Sequence, residues 1–83
     1  MDMNLRLKII VRNNRTVLPR CLQILSRRDF RLTTLLTREI RRGEVELHCI
    51  LEGPTQWHDA IPQLLNKTVD VLHVEIVKTA GHA

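Results

Sequence analysis

Residues able to do chemistry are few in this chain, and they are scattered. There are four histidines and two cysteines. His48 and His73 fall in alternating apolar/polar segments on the side away from the main apolar set, and two imidazoles without a third ligand do not make a zinc site. No His-x-x-x-His, Gly-x-Gly-x-x-Gly or phosphate-loop lysine motif occurs. Glu44 and Glu46 have the spacing of an acid/base pair, yet Arg6 and Lys8 on another alternating segment give a simpler reason for them, opposite charges on adjacent strands. Cys21 and Cys49 each sit in an apolar pattern and match neither a zinc spacing nor a disulfide framework, so they read as buried free thiols. Nothing here points to an independent enzyme.

The elements that must position these residues are legible from periodicity. Leu5, Leu7, Ile9 and Val11 alternate with Arg6, Lys8 and Ile10, which predicts a half-buried strand over 5–11. After the polar run Arg12-Asn13-Asn14-Arg15, Thr16 is placed to cap a helix whose apolar stripe is Leu18, Cys21, Leu22 and Leu25. Pro19 lies in its first turn, and Arg27 and Arg28 lie at its far end, where cations suit the helix dipole. A second extended segment runs from about Phe30 to Ile40, Arg41-Arg42-Gly43 turns the chain, and Val45, Leu47, Cys49 and Leu51 mark a third strand. Thr55 is placed to cap a second helix carrying Trp57, Ile61, Leu64 and Leu65, in which Pro62 predicts a kink or a later start. Val69 to Val77 return to period two, with Leu72, Val74 and Ile76 on one face and Val71, His73, Glu75 and Val77 on the other, and the tail from Lys78 to Ala83 is expected to fray.

This order, strand-helix-strand twice over, predicts an α+β fold: a ferredoxin-like βαββαβ sandwich with a four-stranded antiparallel sheet and two helices on one face. Right-handed crossovers place the first and third strands at the centre. With 83 residues the chain is one domain, its ordered core about 4–78, because a chain this short buries only about 60–65% of its extended surface. Its longest apolar run is three residues, too short for a membrane span, and the Met1-Asp2-Met3-Asn4 start has no secretory signature; a cytoplasmic protein is expected.

Charge is distributed unevenly: residues 1–43 carry a net +8 and residues 44–83 a net −4. A basic half can serve nucleic acid, an acidic protein partner or solvation alone. RNA binding on this fold uses aromatic residues on the two central strands. Here the corresponding face carries Arg6, Lys8, Ile10, Glu46, His48 and Ile50, while the aromatics, Phe30 and Trp57, lie elsewhere. Nucleic acid and membrane are therefore not expected as partners. A small sheet with an open face and unpaired edges favours a homodimer.

Two stretches carry a family resemblance. Asn13-Asn14-Arg15-Thr16-Val17-Leu18-Pro19-Arg20, continued by Leu25-Ser26-Arg27-Arg28-Asp29-Phe30, and the segment Gln63-Leu64-Leu65-Asn66-Lys67-Thr68-Val69-Asp70-Val71-Leu72-His73-Val74 resemble the ACT-domain small, regulatory subunit of acetolactate synthase, in its short single-domain form. The resemblance covers roughly residues 4–78. It implies a non-catalytic chain that binds and activates a large catalytic subunit in branched-chain amino-acid biosynthesis. No cofactor is implied for this chain; thiamine diphosphate, magnesium and FAD would belong to that partner. It further implies an effector site at Asn13, Asn14, Arg15, Thr16 and Val17 for a branched-chain amino acid, with Arg12, Arg20, Arg27 and Arg28 as a docking surface for the large subunit. Thr16 and Asp29 stand where the family has glycines, which implies weak or no valine feedback. A stand-alone ACT module that senses amino acids is the alternative reading, and a small RNA-binding domain a more distant one.

Overall fold

The computed structural model describes residues 2–77, and the expected fraying from Lys78 to Ala83 lies outside them. Strand β1 spans Asp2–Arg12, helix α1 Val17–Ser26, β2 Arg31–Arg41, β3 Glu44–Pro54 and β4 Val71–Ile76; a single 3-10 turn, Thr55–Trp57, precedes the short helix α2, Ile61–Asn66. The four strands form one antiparallel sheet in the order β2-β3-β1-β4, so β1 and β3 are central, as the crossover rule requires. Both helices lie on one face, giving the predicted βαββαβ sandwich.

Alternation decides which side chains enter the core. Leu5, Leu7, Ile9 and Val11 of β1 and Leu47, Cys49 and Leu51 of β3 point toward the helices, where they meet Val17, Cys21 and Leu25 of α1 and Ile61 and Leu65 of α2. Burying each large aliphatic side chain there is worth roughly 1.5–3 kcal/mol. Burial pushes the Cys21 thiol up, and burial followed by the neighbouring Cys21 pushes Cys49 up to about 11. Both cysteines are free and buried, and as neutral thiols they act as core hydrophobes.

The structure revises three local expectations. First, Thr16 takes the position before α1 but makes no capping bond with its side chain; the capping oxygen is that of Asn14, as described below. Second, α2 begins at Ile61 and not at Thr55, which makes Pro62 its second residue. There the missing N–H has no partner to lose, so proline starts the helix instead of kinking it, and Thr55–Trp57 folds into the separate turn. Third, β4 carries a bulge: Ile10 pairs with His73 but Val11 pairs with Val71, leaving Leu72 as the extra residue. Val71 therefore joins Val74 and Ile76 on the core side and is buried, while Leu72 is exposed, which removes Val71 from the open face assigned to it by simple alternation.

Helix α1 ends at Ser26, just before the Arg27 and Arg28 that the sequence places at its far end. Asp29 N–H donates to Ser26 O and Phe30 N–H to Leu25 O, both at about 3 Å, with Asp29 at φ 62. That is a Schellman closure, and it brings Phe30 and Leu25 together in the core. Phe30 then lies flush against the β3 backbone at Gly53, where any side chain would strike its ring.

Candidate functional site

The loop from β1 to α1 is built around Asn14. Its Oδ1 accepts from both the backbone N–H and the hydroxyl of Thr16, each at 2.9 Å, and its Nδ2 donates to Asp70 Oδ2 at 2.9 Å. Val17 N–H donates to Asn14 O at 3.1 Å and opens the helix. The loop is tied at both sides by backbone bonds of 2.8 Å, from Arg12 N–H to Asp70 O and from Asn13 N–H to Gly43 O. Asp70 itself sits at φ 71 in the turn closed by Val71 N–H on Thr68 O, a conformation that Asp tolerates better than most residues.

Beside this loop lies an open depression of about 430 Å³, within the size range of small-molecule sites. Val11, Val17, Leu18, Pro19, Val45 and Leu47 make its apolar walls, and Arg12, Asn13, Asn14, Arg15 and Thr37 its polar rim. Four of the five residues of the expected effector loop, Asn13, Asn14, Arg15 and Val17, line one cavity, and Thr16 hydrogen-bonds Asn14 behind them. Arg15 is exposed and has no carboxylate partner among the described residues; Arg12 Nε lies 4.0 Å from Asp70 Oδ1, and its side chain is 62% exposed. Sequence reasoning missed Thr37, Val45 and Leu47, because only the pairing of β3 with β1, and of β2 with β3, carries them to this loop.

The expected docking arginines separate. Arg20 and Arg27 are exposed along α1, whereas Arg28 is half-buried with its guanidinium 5.6 Å above the Trp57 ring, and Arg12 faces Asp70. Arg28 thus packs the end of α1 against the turn before α2.

The helix-free face of the sheet holds a different constellation. Glu46 is buried and gathers Arg38 Nη2 at 2.9 Å, His48 Nε2 at 2.9 Å and Lys8 Nζ at 3.9 Å; Lys8 also reaches Glu75 at 3.7 Å, and His73 Nε2 donates to Glu75 at 3.0 Å. The hydrogen bond from His48, and then Arg38, holds the Glu46 carboxyl below the ordinary carboxylate value; His73 and then Lys8 do the same for Glu75. Of the charge pairing expected between the first and third strands, Lys8 with Glu46 forms, while Glu44 turns to Arg41 at 3.5 Å. A hollow of about 660 Å³ runs over this face, but the polar groups along it, Lys8, Arg38 and His48, are already matched to Glu46. A second hollow there measures only about 170 Å³. Among the described residues no three His, Cys, Asp or Glu side chains are grouped to hold a metal, and no helix is long and apolar enough to cross a membrane.

The chain thus combines a ferredoxin-like sandwich with a basic, apolar-walled depression at the end of its first strand. Solved structures share the fold. The ACT domain from GTP pyrophosphokinase of Chlorobium tepidum superposes with a TM-score of 0.74 at 15% identity, over 93% of this chain and 100% of that one. The C-terminal domain of the MgtC protein from Mycobacterium tuberculosis gives 0.73 at 16% identity, over 89% and 84%. The protein TM1266 from Thermotoga maritima gives 0.65 at 15% identity, over 93% and 96%. The chain thus has the ACT-type fold. No protein-family profile and no curated protein matches its sequence.

Proposed function

We propose that this chain is a non-catalytic regulatory module that senses a small aliphatic carboxylate, a branched-chain amino acid or a close relative, in the depression beside the β1–α1 loop. One observation carries the reading: two exposed guanidinium groups, Arg12 and Arg15, stand at the rim of a cavity whose walls are aliphatic. Arginine matches a carboxylate in charge and geometry, and the apolar walls take the hydrocarbon end. Asn13 supplies a further polar contact, Asn14 and Thr16 hold the loop, and Val17 forms wall. Ligand binding would reach a partner through the long edge strand β2 or through Arg20 and Arg27 on α1, and a homodimer along the unpaired edges is the simplest assembly. The ACT-type fold, found in a domain of GTP pyrophosphokinase, supports a module that serves a larger enzyme.

The narrower reading, the regulatory subunit of acetolactate synthase, rests on the stretches 13–30 and 63–74. Under it the partner is the large catalytic subunit with its thiamine diphosphate, magnesium and FAD. Asp29 bears on the expected weak valine feedback, because at φ 62 it keeps the backbone conformation a glycine would take there, which leaves Thr16 as the difference that matters. Calorimetric titration with L-valine, L-leucine, L-isoleucine and the corresponding 2-oxo acids, repeated on Arg12→Ala/Arg15→Ala, tests the broader reading: saturable binding weakened about tenfold or more by the double substitution is the expected result, and no binding by any of them rejects it. Acetolactate formation by the large subunit with and without the chain tests the narrower one. An unchanged rate with no complex would reject that reading and leave the free-standing module.

A further inference from the structure

Resting on the sensing role above, we propose that the ligand of the β1–α1 depression is an aliphatic 2-oxo acid, a monoanion without an α-ammonium group, in preference to the corresponding amino acid. The inference comes from a count of donors and acceptors at the rim. A zwitterionic amino acid needs a cationic site for its carboxylate and, within the same few ångströms, oxygen acceptors for its ammonium. The rim has the first, and for the second it offers only the neutral Asn13 amide and Thr37 hydroxyl, with no carboxylate.

Its charged lining groups are Arg12 and Arg15, and no Asp or Glu lines the cavity. The carboxylate nearest the loop, Asp70, is engaged twice: Oδ2 accepts from Asn14 Nδ2 at 2.9 Å and Oδ1 faces Arg12 Nε at 4.0 Å. The amide oxygen of Asn14 already accepts two hydrogen bonds from Thr16, which uses both lone pairs. Two of the loop carbonyls are engaged as well, Asn14 O by Val17 N–H at 3.1 Å and Thr16 O by Arg20 N–H at 3.3 Å. An ammonium placed here meets two like charges and gives up its hydration without equivalent partners.

A 2-oxo acid inverts that mismatch. Its carboxylate faces the Arg15 and Arg12 guanidinium groups, which together present far more donors than one carboxylate can fill, and its keto oxygen is one more acceptor for the remaining N–H groups or for the Asn13 amide. Val11, Val17, Leu18, Val45 and Leu47 surround a branched aliphatic tail without any polar atom to satisfy.

The test is a pair of titrations on the full chain, with 3-methyl-2-oxobutanoate and with L-valine, which share a carbon skeleton and differ at C2. The oxo acid is expected to bind at least tenfold tighter, and Arg15→Glu, at an exposed side chain with no structural partner, is expected to reverse the order. Valine binding within tenfold of the oxo acid, or tighter, overturns this inference and leaves the sensing role intact. Failure of both compounds to bind overturns the sensing role and the inference together.

Discussion

Replacing Asn14 with alanine tests whether one side chain organises the candidate site. The substitution removes an acceptor shared by the Thr16 N–H and hydroxyl and a donor to Asp70, three contacts of 2.9 Å each. Loss of a side-chain cap at a helix start costs typically about 0.5–2 kcal/mol. The exposed contact to Asp70 adds only a few tenths, roughly 0.2–1 kcal/mol, because solvent screens it. The sum is about 0.7–3 kcal/mol, which in a domain this small lowers Tm by about 3–24 °C. Urea denaturation followed by far-UV circular dichroism gives the free energy, provided the slope with denaturant stays constant. Asn14→Asp separates the two contributions: it keeps the capping oxygen and suits the helix N-terminus, but it sets a carboxylate against Asp70. Adding Asp70→Asn should restore most of that loss. An Asn14→Ala variant within about 0.3 kcal/mol of the parent, below the cost of any lost cap, would refute the assignment.

Gly53→Ala places a Cβ inside the contact distance of three atoms of the Phe30 ring, so it should destabilise by about 2–3 kcal/mol, and Phe30→Leu in the same chain should recover part of that loss in a double-mutant cycle. Asp29→Gly should raise stability by about 0.5 kcal/mol, since the left-handed backbone at φ 62 costs glycine nothing, while Asp29→Val should lower it by about 1 kcal/mol or more, both read from urea midpoints. Glu46 has a depressed pKa, so its contribution is complete above the ordinary carboxylate value of 4.5 and fades as pH falls through its lower folded-state value. The stability gap between the parent and Glu46→Gln should therefore narrow on acidification below that value; a gap independent of pH would remove the His48 and Arg38 pairing as its cause.

The fold was readable because its signals are redundant. Alternation in Leu5 to Val11 and Val45 to Leu51, a helical stripe through Cys21 and Leu25, and the rule that crossovers are right-handed converge on a single strand order. Local competition defeated the details. Asn14 and Thr16 are both good caps within one short polar run, and only the helix start at Val17 and the partner Asp70 decide between them. Pro62 marks a helix start that the apolar spacing from Trp57 disguises. The extra residue at Leu72 cannot be seen in an apolar segment whose alternation simply continues, yet it moves Val71 into the core. The candidate site divides in the same way. Its loop, residues 12–17, stands out in sequence, whereas its walls at Thr37, Val45 and Leu47 arrive through pairing between strands distant along the chain.

The central claim, that a small aliphatic carboxylate is sensed beside the β1–α1 loop, is tested most directly by amide chemical-shift mapping of the labelled chain on addition of L-valine and, separately, 3-methyl-2-oxobutanoate. The account predicts saturable shifts confined to residues 11–18 and to Thr37, Val45 and Leu47, with Lys8, His48 and His73 on the opposite face unmoved. Shifts centred on that opposite face, or none with either compound, would contradict it.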